Sequence, residues 1–94
     1  FLQGDVAFPT PVPFGDGVTC IGGHLLRLYV VLVQAGSASV PSTGDVSIRT
    51  RSAELGDPFA TGVARHYATV YRDLDPAFCP SSTWNASNAL RIDW

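Results

Sequence analysis

Nine glycines and seven prolines are spread along 94 residues and cut the chain into short segments. Between these breakers no window keeps an i, i+3, i+4 apolar pattern long enough for a helix of three turns. The segments are instead rich in Val, Ile, Leu, Tyr and Thr, side chains that suit a pleated, half-buried surface. The length fits one domain over residues 1–94. These features predict an all-β domain of five to six short strands. The expected form is a small antiparallel β-sandwich of the jelly-roll or Ig-like kind, with a closed β-barrel as the alternative.

Residues 2–8 read as a first strand. Pro9, Pro11 and Pro13 then make an extended stretch poor in ladder donors, so that 1–13 is a candidate N-terminal strand or arm. Phe14-Gly15-Asp16-Gly17 is a turn, and 18–21 a short strand closed by Gly22-Gly23. The longest strand is expected over 24–33, where a continuous apolar half suggests burial on both faces. Residues 45–52 alternate, with Val46 and Ile48 predicted inward and Ser47, Arg49 and Arg51 outward. Further strands are expected over 63–72 and 88–94, with a long loop over 73–86.

Only 15% of the residues are charged and the net charge is −2. The basic residues are all arginine (Arg27, Arg49, Arg51, Arg65, Arg72 and Arg91), scattered among eight acids. No basic stripe marks a nucleic-acid face, and no apolar run approaches the length of a spanning helix. A neutral, lysine-free, hydroxyl-rich surface favours a secreted, extracellular protein. The start at Phe1, without Met, is expected of a processed product or a fragment.

Cys20 and Cys79 enclose 58 residues and form no C-x-x-C pair. Zinc would have to recruit His24 and His66, at spacings that match no finger. A disulfide in an oxidising compartment is the expected state, against two buried free thiols in a cytosolic chain. Closing that loop would stabilise the fold by about 4 kcal/mol on the chain-entropy account.

Catalytic patterns are missing. His24 and His66 sit in no nucleophile motif, and no G-x-S-x-G occurs. The acids fall mostly at turns, where aspartate caps the backbone; Asp73 and Asp75 lack EF-hand spacing for calcium. The expectation is a non-enzymatic chain with no cofactor. Trp84, Tyr67, Tyr71 and Tyr29 are the candidate sugar-binding or interface aromatics. Asn85-Ala86-Ser87 matches a glycosylation acceptor, or a turn opening the last strand.

Several stretches resemble an uncharacterised C-terminal, β-rich domain of secreted proteins from environmental bacteria. They are Phe14-Gly15-Asp16-Gly17 followed by Cys20-Ile21-Gly22-Gly23, Gly44-Asp45-Val46-Ser47, His66 to Asp73, Ala77-Phe78-Cys79, and Thr83-Trp84-Asn85-Ala86-Ser87-Asn88-Ala89. His66 and Val70 depart from its more aromatic pattern. The resemblance implies secretion and the Cys20–Cys79 pairing but no reaction. It also implies an initial strand before Phe1, whose loss would leave an open sheet edge or an apolar groove. The expected function is an extracellular structural module, a subunit of a bacterial filament or sheath that self-associates by strand or arm exchange. The alternative is a carbohydrate-binding or adhesion module, with glycans as partners.

Overall fold

A computed structural model describes residues 1–72 and 83–94. The fold is mostly β. Its strands are β1 (Leu2–Gly4), β2 (Val6–Phe14), β3 (Gly17–Gly22), β4 (Leu26–Arg27), β5 (Ala64–Ala68), β6 (Val70–Arg72), β7 (Trp84–Ala86) and β8 (Leu90–Asp93), with one helix, α1 (Ile48–Glu54). The described strands form three antiparallel sheets: a four-stranded sheet in the order β4-β1-β5-β8, and the pairs β2-β3 and β6-β7. None closes into a barrel.

β1 lies inside the four-stranded sheet, with Gln3 opposite Leu26 on one side and Tyr67 on the other. β2 contains all three prolines of its region and still pairs with β3. The register holds at Val6↔Gly22 and Ala7↔Ile21, shifts, and resumes at Val12↔Thr19. The shift spans Pro9 and Pro11, which have no N–H to give a ladder. The N-terminal stretch therefore packs on its own domain.

Four other expectations are corrected. The strand expected over 24–33 shrinks to β4. Leu28 continues its pairing by donating N–H to the Phe1 carbonyl at 2.9 Å, and Val30 to Val33 join no ladder. The expected strand over 45–52 is instead the approach to α1 and most of the helix. Ser47 caps it, its Oγ accepting from Thr50 N–H at 3.1 Å, and Gly56 follows its end at φ +94°. Capping and a tertiary anchor override the alternating pattern: Ile48 packs against the core cluster, and Ser52 is completely buried.

The strand expected over 63–72 is broken at Thr69. There the chain leaves the first sheet for the third, as Thr69 N–H donates to Ser87 Oγ and Ser87 N–H to the Thr69 carbonyl. β7 falls within the segment expected to be loop. The core is thin: Leu26, Leu28 and Tyr29 form its buried cluster, flanked by Phe1, Val40, Ile48 and Tyr67.

Candidate functional site

A fully hydrogen-bonded polar cluster is built around Gln3 of β1. Gln3 and Ser52 are both 0% exposed. Gln3 Nε2 donates to Ser52 Oγ at 2.6 Å and to Asp57 Oδ2 at 2.8 Å. Ser52 Oγ donates onward to the Asp57 carbonyl at 2.7 Å. Arg65 grips the Asp57 carboxylate with both prongs, Nε to Oδ2 at 2.8 Å and Nη2 to Oδ1 at 2.7 Å. Tyr67 donates its hydroxyl to Gln3 Oε1, and Trp94 Nε1 donates to that hydroxyl. Phe59 is buried beside the cluster, with the Arg65 guanidinium 5.1 Å from its ring centre and the Trp94 ring 5.3 Å away, tilted by 48°.

Buried polar groups cost little only when their bonds are made, and each of these has its partner. The bidentate Arg65 holds the Asp57 carboxyl below its ordinary pKa, against the opposing pull of burial. Burial raises the Tyr67 phenol, with Trp94 opposing. An ionised carboxylate locked to an arginine and a phenol kept protonated are not poised as a base and a nucleophile. The arrangement ties β1, α1, the 55–63 loop and β5 together as a structural clasp.

A second contact joins two of the segments singled out in the sequence. The Phe14–Gly17 turn docks on β7. The Phe14 ring meets Trp84 edge-on at 4.5 Å, and Asp16 N–H donates to the Trp84 carbonyl at 3.1 Å. Gly15 has φ +63°, and a Cβ there would lie 2.7 Å from Trp84 Cε3, so both conformation and space require glycine. A Cβ on Gly17 would meet the Asn85 side chain, a constraint of space alone. Cys20 is half-buried on β3; Cys79, its expected partner, lies outside the described residues, as do Asp73 and Asp75.

The four candidate aromatics do not converge. Tyr29 is buried and donates its hydroxyl to the Val46 carbonyl at 2.8 Å. Tyr67 belongs to the clasp, and Trp84 packs on Phe14. Tyr71 is exposed and opposite Asn85, whereas Trp84 is opposite Arg72; alternation therefore puts Tyr71 and Trp84 on different faces of β6-β7. Asn85 sits half-buried within β7, its Oδ1 accepting from Ala86 N–H. His24 lies in the β3–β4 turn, where its N–H donates to Asp5 Oδ1, and His66 lies in β5. Among the described residues no group of three or more His, Cys, Asp or Glu is placed to hold a metal, and no helix is long and apolar enough to cross a membrane.

Sequence reasoning missed the clasp residues Gln3, Ser52, Asp57, Arg65 and Trp94. They come from five separate segments, so no local motif announces them. It also missed an exposed apolar stretch among the described residues. Val30 and Leu32 are 79% and 87% exposed, and Val31 and Val33 are exposed beside them. An open groove of about 500 Å³ adjoins this run, bounded by Arg27, Tyr29, Val31, Asp45, Val46 and Arg51. Comparison with known proteins returns no matching family model, curated protein or solved structure.

Proposed function

We propose that this chain is a non-enzymatic, extracellular structural module that self-associates, as a subunit of a bacterial filament or sheath joined through strand pairing. The single observation that carries the reading is the run Val30 to Val33, four apolar residues left exposed where β4 ends. A run of strand-forming side chains without a ladder partner is a template for another chain. The clasp supports the reading from the other side, because its ionisable groups are committed to holding the fold.

In this reading the joining element is the 30–33 run and not an arm over residues 1–13, since Leu2–Gly4 is held between β4 and β5. Secretion and a Cys20–Cys79 disulfide that fastens the sheets into a sandwich belong to the same proposal. They rest on composition and on the resemblance. A carbohydrate-binding module draws less support, because its proposed rings lie apart.

The test is negative-stain imaging with light scattering on oxidised protein over a concentration series. Polymers or higher oligomers are expected. Monodisperse monomers throughout would overturn the reading, and glycan binding lost on Trp84→Ala would replace it with the carbohydrate-binding one.

A further inference from the structure

The sequence contains two Asp-Pro peptide bonds, and one of them, Asp57–Pro58, lies in the clasp. An Asp-Pro bond is well disposed to break from within. The side-chain carboxylate can close a five-membered ring on its own carbonyl carbon, an intramolecular attack with a high effective concentration. The nitrogen displaced belongs to a tertiary amide and leaves as a secondary amine once it takes a proton. Ser52 holds both backbone groups of Asp57. The Asp57 N–H donates to the Ser52 carbonyl at 2.9 Å, and Ser52 Oγ donates to the Asp57 carbonyl at 2.7 Å. A fully buried hydroxyl thus sits on the oxygen that would become negative during attack. Pro58 is exposed, so solvent reaches the leaving nitrogen.

The nucleophile is withheld. Arg65 Nη2 occupies Asp57 Oδ1, while Arg65 Nε and Gln3 Nε2 both occupy Oδ2. To attack, the carboxylate must turn about its Cα–Cβ bond and give up these three donors. We propose that Asp57–Pro58 is a latent self-cleavage site, with Ser52 activating its carbonyl and Arg65 and Gln3 holding its carboxylate away. Once the grip is lost, an Asp57 carboxylate oxygen bonds to the Asp57 carbonyl carbon. The bond to the Pro58 nitrogen breaks, and that nitrogen takes a proton from solvent. Water then opens the cyclic anhydride, leaves Asp57 with a free α-carboxylate and returns a proton. The reaction is a single turnover of the chain on itself. It separates 1–57, with β1 to β4 and α1, from 58–94, with β5 to β8.

The experiment incubates the full chain for days at about pH 4, near the ordinary carboxyl value, both folded and in urea. Fragments 1–57 and 58–94 are then measured by mass spectrometry after reduction. Folded wild type is expected to cleave about tenfold more slowly than the unfolded chain, or slower still. Arg65→Met, shown folded by circular dichroism, should cleave about tenfold faster than the unfolded chain or more, since one oxyanion donor is worth about 10²–10³ in rate. Unfolding alone cannot exceed the unfolded rate, so the excess reports Ser52, and adding Ser52→Ala should remove it. Arg65→Lys keeps the charge without the two-pronged grip and takes the place of Arg65→Met if that variant does not fold. Asp57→Asn, which lacks the carboxylate, should keep the bond intact. Folded wild type cleaving at the unfolded rate, a folded Arg65 variant cleaving no faster than the unfolded chain, or cleavage in Asp57→Asn would each overturn the proposal.

Discussion

The clasp and the 30–33 run invert the usual distribution of side chains. Under β1, a glutamine and a serine are sealed completely from solvent. Some residues further on, Val30 and Leu32 stand almost bare. Each inversion has a cost in an isolated chain. Buried amides and hydroxyls must find partners, and here they do, over 2.6–3.1 Å bonds that span the chain from Gln3 to Trp94. Exposed aliphatics must find cover, and within the described chain they have little. The difference separates a region whose bonds are complete within one copy from a region whose apolar side chains stay exposed, the one proposed above to serve association.

The largest effect on stability is expected at the Arg65–Asp57 pair, whose side chains are only 12% and 14% exposed. Arg65→Met leaves the carboxylate enclosed with one amide donor, and a loss of about 3 kcal/mol is expected. Urea unfolding measures it, and a loss below about 1 kcal/mol would deny the clasp its role. Acid titration gives a smaller effect on the same residues. Asp57 has its pKa lowered from 3.8, chiefly by the Arg65 hydrogen bonds. Its contribution is therefore complete above the unfolded value and fades as pH falls through the folded one. Wild type should lose stability below about pH 4 more steeply than Asp57→Asn, which starts lower at neutral pH and has no such carboxyl to protonate; parallel acid limbs would contradict this. The smallest stability change is expected at the other region. Leu32→Lys should alter unfolding by no more than about 0.5 kcal/mol while abolishing association in light scattering. A folding defect there would make the run part of the core and erase the contrast.

What the sequence makes legible follows from how local the determinants are. β3 and β8, and the turn over 14–17, are announced by alternation and by Gly/Asp chemistry that acts within a few residues. α1 was masked by Val46 and Ile48, whose spacing also fits a strand. Its true signals were Ser47 before the helix and Gly56 after it, with φ +94° at the latter. A continuous apolar run reports that cover is needed but not which chain supplies it. That is why Leu28 is 2% exposed as expected while Leu32, four residues later, is not covered. The clasp was beyond reach because a buried Gln3 is meaningful only beside Ser52, Asp57 and Tyr67, residues 49 to 64 positions away.

The docking of the Phe14–Gly17 turn on β7 has a spectroscopic consequence. The chain has two tryptophans, and the fold places Trp84 against Phe14 and Trp94 against Phe59 and the Tyr67 hydroxyl. The intrinsic emission is thus a sum of two separately housed indoles. One watches the hairpin meet its neighbouring sheet, and the other watches the polar interior form.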